Sequence, residues 1–240
     1  MEGRPTKMMR VTRRNFGVGT RKELTPEQVA ESDPNKTVPT MSIREQLRRV
    51  ARLPNQSHPC TFQNFRISRD GNAAALAAAR AFAQPDSPFP ILTICGPNGN
   101  GKSHLLEAIG RVLVDRGEVV YYRTAVEILD ELKATFDKHG DGPTTESLFE
   151  SFKDKGTLLL DDLGAIYPTA YGLERLEAII NHRYAYRRPM AVTVDRQPDE
   201  ITRLFKGRSA VADRLWDRHS GKVRAVTNSA PSYRRTGRVA

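Results

Sequence analysis

Residues 91–109 read ILTICGPNGNGKSHLLEAI. An apolar run, Ile91 to Cys95, meets GPNGNGKS at Gly96 to Ser103. Leu105, Leu106, Ile109, Val112 and Leu113 then recur at helical spacing before Gly117. The first segment has the pattern of a buried strand and the last that of an amphipathic helix over 102–115. The eight residues between match G-x-x-x-x-G-K-[ST] in the context that gives the motif its meaning, after a strand and at the head of a helix. Glycines at 96, 99 and 101 let the backbone curl until its N–H groups converge on phosphate oxygens. The helix N-terminus adds the positive end of its dipole. Gly96, Pro97, Asn98, Gly99, Asn100, Gly101, Lys102, Ser103 and His104 are therefore expected to hold a nucleoside triphosphate, ATP, with Mg²⁺. Lys102 would reach the β- and γ-phosphates, and the Ser103 hydroxyl would complete the metal shell.

Outward from that stretch, strand and helix patterns alternate. EVVYYR (118–123), TLLLDD (157–162), PMAVTVD (189–195) and KVRAVTN (222–228) are short β-branched or leucine-rich runs. A helical pattern over 173–187 places Leu173, Leu176 and Ile180 in register. Alternation of this kind implies an α/β domain with a five-stranded parallel sheet between helices. The strand at 157–162 ends in two carboxylates. A nucleotide-hydrolysing site needs one acid at the tip of a neighbouring strand for the magnesium shell, and Asp161 suits that. Asp162 can then orient or deprotonate the attacking water.

The chain has 240 residues, with 38% hydrophobic and 28% charged, and a formal net charge of +10. The charge sits at the ends: residues 1–24 hold seven Lys/Arg against two Glu, and residues 203–240 ten against two Asp, which leaves the middle mildly acidic. Basic ends suit a polyanion such as nucleic acid. For 1–24 a merely solvated tail accounts for the charge equally well, whereas in 203–240 the charges are interleaved with apolar residues. No apolar run reaches the roughly 18 residues of a membrane span. The N-terminus lacks the apolar stretch of a secretory signal, and Cys60 and Cys95 make no disulfide framework. A reducing cytoplasmic setting fits, and the scattered histidines predict no zinc site. The expected organisation is a basic arm over 1–40, with a short helix starting at TPEQ (25–28). A short amphipathic helix and linker over 41–59 follow, then the nucleotide-binding domain over 60–235 and a tail over 236–240. In the helix, Ser42 and Glu45 form a capping-box pattern, and Ile43, Leu47 and Val50 share a face. This basic helix would dock on a partner or on the main domain, or simply pack on the core.

The ordered set of motifs, GPNGNGKSHLLEAI followed by LLLDDLG, resembles the AAA+ ATPases of the DnaC/DnaI helicase-loader and IstB transposition-helper family. TFQNFR (61–66), IINHRYAYRRPMAVTV, VADRL (211–215) and SYR (232–234) extend the resemblance over about residues 60–235. It implies an AAA+ fold, with an aromatic near the adenine, here Phe62. It implies that Arg214 is an arginine finger reaching the nucleotide of the next subunit in a ring or spiral. Arg234 would be a sensor on the nucleotide's own subunit, although Ala230 stands where the family usually has glycine. The family's fourth strand usually ends in Asn, and here it ends in Asp195. An ionised Asp accepts but does not donate, and it repels phosphate. So either Arg196 neutralises Asp195, or Asp195 handles only the water, or hydrolysis is weak.

The loop GAIYPTAYG (164–172) follows the paired aspartates. In helicase loaders of the resembling kind, the matching loop touches single-stranded DNA. Tyr167 and Tyr171 would stack on bases and Thr169 would bond a phosphate, with Arg123 a further candidate in the same channel. The resemblance thus implies an ATP-dependent, single-stranded-DNA-binding loader of a replicative hexameric helicase. One alternative is an IstB-type helper of a transposase. Another, favoured by Asp195, is an ATP-switched DNA-binding module with little turnover.

Overall fold

The computed structural model describes residues 41–68, 71–135 and 143–233. The basic arm over 1–40, the TPEQ segment, Arg234 and the tail over 236–240 lie outside the described residues. Strands β1 (Ile91–Cys95), β2 (Val120–Thr124), β3 (Thr157–Asp161), β4 (Met190–Val194) and β5 (Val223–Thr227) form one sheet in the order β2-β3-β4-β1-β5. Every pairing is parallel. The three inner strands, β3, β4 and β1, are buried along their whole length. Their sequences are accordingly runs of apolar residues, as a sheet covered on both faces requires. Alternate residues feed two cores. Leu158 and Leu160 join one, with Met190 and Val192; Leu159 joins the other, with Leu92 and Ile94.

The register aligns the strand tips. Cys95 lies opposite Val194 and Thr227, and Thr124 lies opposite Asp161. After β1 the chain crosses to the far edge of the sheet, so β1 sits where the strand order reverses. The crevice beyond the strand C-termini at such a point is where open parallel sheets bind ligands. Helix α3 (Lys102–Asp115) starts there. With α1 (Ile43–Ala51) and α2 (Ala73–Phe82) it covers one face. Helices α4 (Ala125–Lys133), α5 (Thr145–Asp154), α6 (Ala170–Ala185), α7 (Pro198–Leu204) and α8 (Ala210–Leu215) cover the other. No described helix is long and apolar enough to cross a membrane.

Two details differ from the sequence expectation. Of the stripe on α1 only Leu47 packs against the core: Ile43 is 76% exposed and Val50 39%, while Ala51 and Leu53 are buried. The helix is held further by Arg123, which was expected in a DNA channel. That side chain is buried, pairs with Glu131 at 2.6 Å, and donates to the carbonyls of Ala51 and Val50 at 3.2 and 3.3 Å. It caps the C-terminal end of α1, where a cation meets unsatisfied carbonyls and the negative end of the dipole, so it is not available to a phosphate. Secondly, α6 begins at Ala170 and not at 173. The Thr169 hydroxyl accepts the Gly172 N–H at 3.1 Å and so starts the helix early.

Arg183 of α6 has no exposed surface. Its Nε donates to the Phe152 carbonyl at 2.6 Å, Nη1 to Gly156 and Pro189 at 3.1 and 2.8 Å, and Nη2 to Lys155 at 2.9 Å. It gathers the end of α5, the approach to β3 and the approach to β4 around one guanidinium. Arg183→Met fills similar space but leaves buried carbonyls unpaired, at about 1–3 kcal/mol for each group that water does not reach. The variant is expected to lose about 3 kcal/mol or more in urea unfolding. An unchanged midpoint would contradict this role.

Candidate active site

The loop between β1 and α3 is built by close approaches that only glycine allows. A Cβ at Gly96 would lie 2.1 Å from the Asn228 carbonyl oxygen. Gly101 has φ +96°, and a Cβ there would lie 2.9 Å from the Phe65 ring. Asn100, expected among the nucleotide contacts, is buried. Its amide donates to the Asn228 carbonyl at 2.6 Å, and the Asn228 amide donates back to the Asn100 carbonyl at 3.0 Å. The Asn100 side chain therefore clamps the loop to the end of β5, and only its backbone is left to face a phosphate.

Lys102 is buried at the head of α3, and its Nζ donates to the Gly96 and Pro97 carbonyls at 2.7 and 2.8 Å. Burial lowers its pKa, while Asp195, Asp162 and Asp161 pull it back up. A buried ammonium curled onto its own loop is a cation held ready for an anion. The Ser103 hydroxyl donates to Asp161 Oδ1 at 3.1 Å. Two residues that the sequence reading did not single out complete this cluster. The Tyr122 hydroxyl of β2 donates to Asp161 Oδ2 at 2.6 Å, and the Thr193 hydroxyl of β4 donates to Oδ1. Burial, followed by the Asp161 charge, pushes the Tyr122 phenol far up, so it stays a donor. Ser103 and Asp161 offer hard oxygen donors, which suit Mg²⁺ carrying its own waters and phosphate oxygens.

Asp162 leaves the strand in the left-handed region, φ 52°, with its N–H donating to Thr193 Oγ1 at 2.8 Å. Burial raises its pKa above the ordinary carboxylate range, and the charges of Asp195 and Asp161 act in the same direction. A carboxylate lifted this way is a better proton acceptor. Asp195 Oδ2 accepts from the Asn98 amide at 3.3 Å. Its Oδ1 lies 3.8 Å from Arg196 Nε, an ion pair without a hydrogen bond. Lys102, Asp161, Asp162 and Asp195 thus converge on the crevice.

Beside the loop lies a cavity of about 280 Å³, lined by Asn64, Phe65, Arg66, Gly101, His104 and Tyr233. His104 packs edge-on to Phe65 with centroids 5.2 Å apart and meets the Thr61 carbonyl at 2.8 Å. The Tyr233 N–H donates to the Gly99 carbonyl at 2.9 Å, and its hydroxyl to the Arg66 carbonyl at 2.8 Å. Phe62, expected at the base, does not line this cavity. It packs toward the core beneath Arg80, whose Cζ is 5.9 Å from the ring centroid. Phe65 and Tyr233 line the cavity instead.

Arg214 lines a separate cleft, none of whose lining residues belongs to the phosphate loop. Its Nη1 donates to the Ala210 carbonyl at 2.8 Å, and among the described residues it forms no ion pair. In the loop after β3, Tyr167 is 85% exposed. Tyr171 stands in the first turn of α6, half-buried, with Arg175 Cζ 5.2 Å from its centroid. The Thr169 hydroxyl, expected on a phosphate, accepts the Gly172 N–H as the helix cap.

A family profile described as "IstB-like ATP binding protein" matches residues 33–240. The chain belongs to that family. Among curated relatives, the replicative helicase loader DnaC of Escherichia coli (strain K12) is 27% identical over 176 residues, covering 68% of this chain and 70% of DnaC. Among solved structures, the replication initiator DnaA bound to AMPPCP and single-stranded DNA matches at TM-score 0.57 and 24% identity. That match covers 70% of this chain and 49% of the other. The DnaC helicase loader matches at TM-score 0.56 and 20% identity, covering 70% and 96%. The chain thus spans about half the length of the DnaA structure. These structural likenesses support the AAA+ fold.

Asp162→Asn keeps the shape of the site, removes a proton acceptor and relieves repulsion among three carboxylates. It is expected to bind a fluorescent ATP analogue with unchanged affinity and to lower turnover about 100-fold or more. It should also raise the melting temperature of the nucleotide-free protein. Phosphate release and thermal unfolding measure these effects. Full turnover would place the base elsewhere.

Proposed function

We propose that this chain is a Mg²⁺-dependent ATPase that self-associates and binds single-stranded DNA, and that it loads a replicative helicase. The observation that supports turnover most is the cluster around Asp161. It ties the phosphate-loop Ser103 to residues of three neighbouring strands, with Asp162 and Lys102 at the same crevice. ATP with Mg²⁺ would supply the phosphoryl group and the charge that polarises it. Ser103 and Asp161 would hold the metal end, and the loop N–H groups and Lys102 the phosphates. Phe65, His104 and Tyr233 would enclose the base. Asp162 would take the proton of the attacking water, and Asp195 would orient that water through its accepting oxygens. Arg214 of a neighbouring copy would meet the charge that spreads over the transferring group. The domain would span 41–235, because α1 packs on α3 and β2 rather than standing apart as a linker segment. The arm over 1–40 would serve partner contact.

The helicase assignment rests on the DnaC relative. A transposition-helper reading is favoured by the family description itself. Co-purification from the native host separates them: a hexameric helicase supports the first and a transposase the second. A wild-type protein that binds ATP and hydrolyses none of it would support the switch reading instead.

Two further outcomes are expected. Arg214→Ala keeps an intact nucleotide site, and Lys102→Ala keeps an intact finger. Each alone should be nearly inactive, while their mixture should recover part of the turnover; a dead mixture of folded variants would contradict a shared site. On the DNA side, Tyr167→Ala should weaken single-stranded DNA binding about tenfold, the scale of one stacked base at 1–3 kcal/mol. The loss should be similar across base sequences in fluorescence anisotropy. Wild-type affinity would remove the loop from DNA contact.

A further inference from the structure

The cleft that contains Arg214 has a volume of about 780 Å³ and is also lined by Tyr184, Ser209, Trp216, Asp217 and Arg218. Tyr184, on α6, is one of its walls. Arg214 Cζ lies 5.7 Å from the Tyr184 ring centroid, and Lys222 Nζ lies 4.5 Å from the same centroid. The Tyr184 hydroxyl donates to Asp217 Oδ2. The other oxygen of Asp217 accepts the His219 and Ser220 N–H groups at 2.9 and 3.1 Å. Asp217 is thereby committed to Tyr184 and to the turn after α8, and the neighbouring acid Asp213 accepts from the Ser209 hydroxyl. Neither acid neutralises Arg214. The guanidinium is held by an aromatic ring and one carbonyl, groups that fix its direction without cancelling its charge.

We infer that Tyr184 is a positioning residue for Arg214: its ring, pinned at the hydroxyl by Asp217, holds the guanidinium in the pose in which a neighbouring copy's nucleotide meets it. The inference rests on reading Arg214 as a finger that acts in trans. A long arginine side chain left free must be ordered each time a neighbour docks, at an entropic cost. A ring that orders it beforehand removes that cost from the docking step. An acid in the same place would order the guanidinium equally well, but would compete with the nucleotide's phosphates for it.

The test uses the two-variant mixture, because in it the finger and the nucleotide site come from different chains. Tyr184→Leu placed in the Lys102→Ala chain, the finger donor, is expected to cut recovered turnover about tenfold. The same substitution placed in the Arg214→Ala chain, the site donor, should change it less than about threefold. Tyr184→Phe in the finger donor keeps the ring without its Asp217 pin and should lose clearly less turnover than Tyr184→Leu does there. Equal loss in both placements would mean general damage to the fold and would overturn the positioning role, as would no loss in either, or a Phe variant as poor as Leu. If the unsubstituted mixture is itself inactive, the finger reading falls and the positioning role falls with it.

Discussion

The site depends on one buried carboxylate. Asp161 ends the inner strand β3 and accepts hydroxyl donors from Ser103, Thr193 and Tyr122. An ionised acid that is almost wholly buried would be costly without such partners, and bonds to a charged acceptor are stronger than neutral ones. The three donors come from α3, β4 and β2, so one side chain sets the spacing between the phosphate loop and the neighbouring strand tips. Asp162 is then turned out of the strand, and its N–H is fixed on the same Thr193 that serves Asp161. Three carboxylates are crowded in this crevice. Lys102 offsets part of their repulsion, and burial first, then the charges of Asp195 and Asp161, raise the pKa of Asp162.

The crevice also packs closely against the loop that follows Asp162. Gly164 opens that loop, and a Cβ there would lie 2.2 Å from Asp195 Oδ1. The tip of β4 and the start of the Tyr167 loop are therefore in contact through the one residue type that permits it. Gly164 lies three residues before the exposed Tyr167 ring. Asp195 thus occupies a site defined as much by the loop beside it as by the phosphate region in front of it.

What the sequence made legible was local. The phosphate loop, the paired aspartates and the alternation of strands and helices are patterns within short windows, and the five strands lie within two residues of where periodicity puts them. Tyr122 and Thr193 were not legible as partners of Asp161, because their meeting depends on the register of separate strands. Phe62 and Phe65 carry the same residue type three positions apart, and only the path of the chain beneath Arg80 decides which ring reaches the cavity. Arg123 read as a candidate for a DNA channel, and Arg183 was not singled out. Burial turns both into fasteners for backbone carbonyls, since a guanidinium has several donors in fixed directions and the carbonyls near helix ends and strand starts need partners.

The most direct measurement is a crystal structure with a non-hydrolysable ATP analogue and Mg²⁺. Lys102 Nζ should have left the Gly96 and Pro97 carbonyls for the β- and γ-phosphates. The metal should lie beside Ser103 and Asp161, and the base between Phe65 and Tyr233. A nucleotide bound elsewhere, or one bound here with Lys102 still on its own loop and the metal away from Asp161, would contradict the assignment of this crevice as the ATPase site.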